Sequence, residues 1–215
     1  MSSYFAEIEN DLDWREAELA IFRIQLSEND RSPKVRRVFI RSAWALLYAH
    51  FEGFCKFALT AYYDEIRHRG LRCCDLPASL RDFALDSQLR RLKNLPRDEA
   101  IDAILEFSTV HLVATPTFPE VETDSNLSSK KLADLLSCAD IKLSSLEDHG
   151  RKIDTLVSRR NKIAHGEREQ IDEVAYYLTF EDAAKMVMYD LALSIDARID
   201  DLSGSPGRTS TLGLP

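Results

Sequence analysis

Residues that interrupt helices are scarce in this sequence, which has only 7 glycines and 7 prolines among its 215 residues. This scarcity disfavours a fold of short strands and tight turns and favours long helices. The four cysteines include no C-x-x-C pair, and none lies near a histidine at the spacing of zinc ligands. Adjacent Cys73 and Cys74 seldom bridge each other, so we expect reduced thiols, a cytoplasmic protein and no metal site.

An excess of positive charge is also absent, because the net charge is -8. The chain therefore lacks a global basic field, and an RNA partner would need a local basic patch. The apolar segment 43–63 is long enough to span a membrane, but His50, Glu52 and Lys56 lie near its middle. Charged groups are costly in hydrocarbon, so this segment is predicted to be a buried helix, and no membrane association is expected.

Apolar residues recur at helical spacing over residues 3–27, which predicts an amphipathic first helix. A longer helix is predicted from Pro33 to about Arg69, with Gly70 as its stop. Apolar side chains cover two neighbouring stripes of this second helix. It is therefore expected to form the centre of the fold.

The remaining pattern predicts shorter helices and one long loop. Residues 75–107 read as two or three short helices, and residues 109–125 as an irregular loop with room for a short strand. Ser128 is a suitable cap for the next helix, and two further helices are predicted over 146–165 and 180–202. The fold class is thus all-α, a helical bundle with a long central helix, with one domain over residues 1–202 and a disordered tail over 203–215.

The stretch L-V-S-R-R-N-K-I-A-H-G-E places an arginine, an amide and an imidazole within two turns of a helix. Arg160 continues the apolar face of this helix, where a guanidinium is costly unless an anionic group meets it. Arg159 is expected to face solvent. Asn161 and His165 are four residues apart and therefore lie over each other, and the glycine that follows is a suitable helix end.

These residue types fit the cleavage of an RNA phosphodiester. A histidine can take the proton of a 2′-hydroxyl or protonate the leaving oxygen, and an arginine can pair with the phosphate in a bidentate manner. The spacing of Arg160 and His165 alone arises easily by chance. An ordinary basic helix end, with Arg160 salt-bridged to a neighbouring helix, is the alternative interpretation.

Three segments resemble one known superfamily. R-N-K-I-A-H-G-E, preceded by I-D-T-L-V, resembles the signature motif of HEPN domains. N-L-S-S-K-K-L-A-D-L-L resembles the segment before that motif in one prokaryotic branch, and R-S-A-W-A-L-L-Y-A-H-F-E-G-F resembles its core helix. The resemblance covers residues 38–202 and implies a HEPN-like helical bundle.

The resemblance implies a metal-independent endoribonuclease without cofactors, typically the toxin of a toxin–antitoxin or phage-defence system. Arg160 and His165 would be the catalytic pair, with Asn161 as the polar residue beside them. Cleavage would leave a 2′,3′-cyclic phosphate, through a site shared by the two chains of a homodimer. A cognate antitoxin is a possible partner, but Glu167 occupies the position of a tyrosine that some antitoxins modify.

Other charged residues complete the candidate site. Four basic residues of the motif helix are predicted to contact the RNA backbone: Arg151, Lys152, Arg159 and Lys162. Glu52 either forms an intrahelical ion pair with Lys56 or reaches the motif helix and orients the Arg160 guanidinium.

Two other functions remain open for the same residues. The first is a HEPN module that binds RNA, a nucleotide or a partner protein without cleavage. The second is a structural helical adaptor in which Arg160 forms a salt bridge in the core.

Overall fold

The computed structural model describes residues 3–27, 32–96, 98–168 and 173–204. These residues form helices and connecting loops, with no strand among them. In chain order the helices are α1 (Ser3–Ser27), α2 (Pro33–His68), α3 (Ala78–Ala84), α4 (Asp86–Lys93), α5 (Ala100–Glu106), α6 (Ser129–Ala139), α7 (Ser144–Ala164) and α8 (Val174–Gly204). The prediction of an all-α bundle is confirmed.

Helix α2 is the centre of the bundle and packs against α1, α7 and α8. Its apolar residues lie around much of its circumference, and the largest side chains are fully buried: Trp44, Leu47, Phe51, Phe54, Leu59 and Tyr62. Ser32 caps the helix by accepting a hydrogen bond from the Val35 N–H, and Pro33 occupies the first turn. Beyond its end, Gly70 adopts φ of +66°, a conformation that favours glycine.

Helix α8 begins earlier than the sequence pattern predicts. It starts at Val174, so Thr179, which the sequence T-F-E-D favours as a helix cap, lies inside the helix. The extra turn carries Tyr177, which is fully buried and packs edge-to-face on Trp44 at 5.8 Å between ring centroids. Burying an aromatic side chain outweighs the local capping preference, which explains why the predicted start at residue 180 is wrong.

The predicted loop is shorter than expected at its N-terminal side. A π-helical turn, Phe107–His111, extends α5, so the irregular stretch begins at Leu112 and continues to Ser128 without a strand. Buried Val121 and Leu127 anchor this stretch to the core. The predicted cap of α6 is confirmed, because the Ser128 hydroxyl accepts a hydrogen bond from the Lys131 N–H at 3.2 Å.

Helix α8 continues to Gly204, two residues into the predicted tail, and residues 205–215 lie outside the described residues. The four cysteines are free thiols. None of the helices in the described ranges combines the length and the apolar character that a membrane crossing needs.

We predict that Leu47→Ala destabilises the fold by about 2–5 kcal/mol, because it leaves a cavity in the most buried part of α2. Denaturant unfolding followed by circular dichroism measures this change. Val38→Ala is the matched control on the same helix, because Val38 is 62% exposed and its loss should change stability by less than about 0.5 kcal/mol. Similar losses for the two variants would contradict the central position of α2.

Candidate functional site

The motif residues lie at the C-terminal end of α7, which ends at Ala164. The backbone N–H of His165 donates to the Asn161 carbonyl at 2.9 Å, and Gly166 then turns the chain with φ of +77°. The predicted glycine stop is thus confirmed. Arg41 of α2 donates to the Glu167 carbonyl at 2.6 Å and fixes the segment that leaves the helix. The imidazole of His165 is consequently held at an exposed helix end.

An open cleft of about 560 Å³ lies beside this helix end. One wall is formed by the loop before α6 and the first turn of α6, and the other by α7. The cleft is lined by Asn126, Ser128, Lys130, Asp154, Val157, Ser158, Asn161, Lys162, His165 and Glu167. The structure therefore brings together three of the predicted site residues, Asn161, Lys162 and His165.

Asn161 and Asp154 connect the two walls of the cleft. The Asn161 amide donates from Nδ2 to Oδ1 of Asn126 at 3.0 Å. Asp154 accepts two hydrogen bonds at 2.8 Å from Ser129, one from its backbone N–H and one from its hydroxyl. A Cβ at Gly150 would lie only 3.2 Å from the Ser129 Cβ, so glycine permits the close approach of α6 to α7.

Arg160 lies on another side of α7 and packs against α2. Its guanidinium lies 3.9 Å from the centroid of the Tyr48 ring, and its Nη2 donates to the Ser125 carbonyl. Its Nε is buried and has no hydrogen-bond partner among the described residues. The expected anionic partner is therefore replaced by the face of an aromatic ring and a backbone carbonyl, both of which carry partial negative charge.

Tyr48 connects Arg160 to the loop and to Glu52. Its buried hydroxyl accepts a hydrogen bond from the Leu127 N–H at 2.7 Å, and Arg160 and Glu52 both face this oxygen. Burial raises the pKa of Tyr48 to about 12; Glu52 acts in the same direction, whereas Leu127 and Arg160 oppose it. Of the two alternatives for Glu52, the intrahelical ion pair is not the one observed, because Lys56 pairs with Glu120 at 2.9 Å.

A comparison with models of protein families assigns the chain to a known family. A model of the MAE_28990-like HEPN family matches residues 5–201. The chain belongs to the HEPN superfamily. No curated protein and no solved structure matches the chain. At the superfamily level, this membership supports an RNA-related module of the nuclease type.

The basic residues of the HEPN motif helix divide between two sides. Arg159 is half-buried between the rings of Trp44 and Tyr176, at 4.9 and 5.1 Å from their centroids. The expectation that it faces solvent is wrong, because two aromatic faces offer a cation a favourable contact. Lys152 likewise turns to α8 and donates to the Thr179 carbonyl at 3.1 Å.

Only Lys162 of the four predicted RNA contacts lines the cleft, while Arg151 is exposed on the same helix. Lys130 joins Lys162 from the opposite wall and was missed by the sequence analysis. Asn126 and Ser128 were missed as site residues too, although all three lie in or beside the segment N-L-S-S-K-K that resembles the HEPN branch. No group of three or more metal-binding side chains is placed to hold a metal ion within the described residues.

We predict that Tyr48→Phe lowers the free energy of unfolding by about 1–3 kcal/mol, because it leaves the buried Leu127 N–H without an acceptor. The folded pKa of about 12 exceeds the ordinary value of 10.0, so the wild-type hydroxyl stabilises the fold fully below pH 10 and loses this contribution toward pH 12. The stability difference between wild type and Tyr48→Phe should therefore shrink over this range.

Denaturant unfolding at several pH values measures both effects. Tyr176→Phe is the matched control, because Tyr176 is 40% exposed and, among the described residues, its hydroxyl accepts a single hydrogen bond of 3.4 Å from Arg159. A Tyr48→Phe protein as stable as the control would show that the Leu127 hydrogen bond does not hold the loop.

Proposed function

We propose that this HEPN protein is a metal-independent endoribonuclease that acts as the toxin of a toxin–antitoxin or phage-defence system. The observation that carries the proposal is the position of His165, an exposed imidazole at a cleft that also contains Lys130 and Lys162. Histidine exchanges protons near neutral pH, and the two ammonium groups attract the RNA backbone. These are the groups that cleavage of a phosphodiester needs.

In the proposed reaction, a histidine takes the proton of the ribose 2′-hydroxyl. The 2′-oxygen then bonds to phosphorus, the bond from phosphorus to the 5′-oxygen breaks, and a second acid protonates that oxygen. The products are a 2′,3′-cyclic phosphate and a 5′-hydroxyl. Among the described residues that line the cleft, His165 is the one imidazole. The second acid is therefore assigned to His165 of another copy, in a homodimer that shares its active site.

Arg160 is assigned to the phosphate as negative charge builds on it. The contact with Tyr48 fixes the plane of its guanidinium. Glu52 also faces the Tyr48 hydroxyl. In this arrangement Glu52 and Tyr48 position Arg160 and do not touch RNA.

The electrostatic part of RNA binding should be modest. Lys130 and Lys162 share the cleft with Asp154 and Glu167, so the local charge is nearly balanced. Few counterions would be released, which means a weak affinity that falls only gradually as the salt concentration rises. A cognate antitoxin that covers this cleft would block the reaction. Since Glu167 stands at the position of the modifiable tyrosine, neutralisation by modification there is not expected.

We predict that His165→Ala lowers RNA cleavage by roughly 10²–10⁴-fold without unfolding the bundle, because the imidazole transfers protons and its side chain is exposed. The assay follows a labelled RNA in excess EDTA and analyses the ends of the products. His149→Ala is the matched control at the other end of α7 and should cleave like wild type. Equal cleavage by His165→Ala and wild type would exclude this role.

Mixed dimers test the shared site. When wild type is refolded with a ninefold excess of His165→Ala, only about a tenth of the wild-type chains remain in wild-type homodimers. We predict that activity per wild-type chain falls by about the same factor, because each reaction needs one histidine from each chain. Activity that stays constant during this titration would assign the complete site to a single chain.

A non-catalytic module that binds RNA, a nucleotide or a partner protein is the second candidate. The contacts of Arg160 favour it, because the guanidinium stacks on Tyr48, bonds to Ser125 and does not line the cleft. Recovery of intact RNA from a complex with the wild-type protein would support this candidate over the ribonuclease. The structural adaptor requires a salt bridge from Arg160, whereas its contacts are with an aromatic ring and a carbonyl oxygen.

A further inference from the structure

Two carboxamides face each other across the cleft. Asn161 Nδ2 donates to Asn126 Oδ1 at 3.0 Å, and both residues line the cleft. A carboxamide has one carbonyl acceptor and an NH2 group with two donors. Pairing through one hydrogen bond therefore leaves one carbonyl oxygen and one NH2 group without partners among the described residues, whichever amide donates. The pair presents an acceptor and a donor side by side.

The backbone beside Asn126 is held in an unusual conformation. Asp124 and Ser125 adopt φ of +55° and +50°, which non-glycine residues seldom do. Such strain persists where the surroundings determine the backbone, and it is concentrated at functional sites. Here Lys131 pairs with Asp124 at 2.6 Å, and the buried Leu127 donates to Tyr48. Asn126 is thereby held in place before any ligand arrives.

The free groups of the pair fit a nucleobase better than a phosphate. A phosphate offers only acceptor oxygens, so a carbonyl directed at it would gain nothing. The edges of bases present donors next to acceptors, and asparagine is a common partner of such edges. Val157 gives the same cleft an apolar wall, and its volume of about 560 Å³ is within the range of small-ligand sites.

The position of the pair also suits one nucleotide. Asn161 precedes His165 by one helical turn, which separates the Cβ atoms of such residues by roughly 5–6 Å. Lys130 and Lys162 line the same cleft, and their positive charges attract the phosphates of an RNA strand. A base at the amide pair would thus belong to the nucleotide whose phosphate reaches His165.

We propose that Asn126 is a specificity-determining residue that, together with Asn161, binds the base edge of the nucleotide next to the scissile phosphate. The proposal rests on the proposed function insofar as RNA is the ligand. It assigns to this HEPN site a preference for one base, and it gives Asn126 a direct contact with the substrate.

The test measures binding and not cleavage, so that it does not depend on turnover. Labelled hexanucleotides of A, C, G or U are titrated against His165→Ala protein, which should leave them intact. We expect this protein to prefer one base by about 5- to 100-fold, the range of one specific amide contact. Adding the substitution Asn126→Ala should reduce the preference to less than about twofold, mainly because the preferred RNA binds more weakly.

Asn126→Asp separates recognition from positioning. An aspartate still accepts the hydrogen bond from Asn161, but it offers no donor to a base. Its negative charge should weaken the binding of RNA in general, and without the donor the preference for the original base should be lost. A retained preference in Asn126→Asp would overturn the proposal and reduce Asn126 to a residue that positions Asn161. Asn94→Ala, at an exposed asparagine directly after α4, is the matched control and should keep the preference.

Two further outcomes would overturn the proposal in different ways. Equal binding of the four RNAs by His165→Ala protein would exclude base recognition. If wild type still cleaved RNA in EDTA, the proposed ribonuclease function would stand without the amide site. The absence of both RNA binding and cleavage would overturn the proposed function together with the amide site. Circular dichroism confirms in each case that the variants are folded.

Discussion

The contact between Arg160 and Tyr48 is the interaction on which the site depends. A guanidinium inside an apolar stripe needs compensation, and here the ring face and the Ser125 carbonyl provide it. The same tyrosine accepts the Leu127 N–H, so one buried hydroxyl joins the central helix, the loop and the motif helix. The loop that carries Asn126 is fixed as a result. This half-buried cation therefore helps to position both cleft walls, together with the hydrogen bonds of Asp154 and Asn161.

The basic residues of α7 are divided between the bundle and the cleft. Arg159 and Lys152 are directed to α8, where aromatic faces and a carbonyl bind them. They hold the bundle together and add little to the cleft. Lys162 and Lys130 remain at the cleft, close to Asp154 and Glu167. Under the proposed function, a nearly balanced cleft would limit non-specific binding of nucleic acid, and contacts with bases would contribute more to the choice of substrate.

The local spacing of apolar residues was sufficient to predict most of the helices. It failed for features that depend on contacts between residues distant in sequence. The period of apolar residues predicted α1, α2 and α7, and Gly70 and Gly166 marked two ends because both need positive φ. The start of α8 depends on the packing of Tyr177 against α2, which no local pattern shows. Asn126 contacts Asn161, which lies 35 positions later in the sequence, and it belongs to a loop without periodic spacing of apolar residues. Its place in the site could only be seen in the folded chain.

The contacts of Arg160 are compatible with a role at a phosphate. In the free protein one of its donors is bound to the neutral carbonyl of Ser125. Hydrogen bonds to an ionised acceptor are roughly twice as strong as those to a neutral one, so exchanging the carbonyl for a phosphate oxygen is favourable. Ser125 is exposed, and water can satisfy its carbonyl after the exchange. Because the charge on the phosphate oxygens grows toward the transition state, this exchange would favour cleavage more than binding.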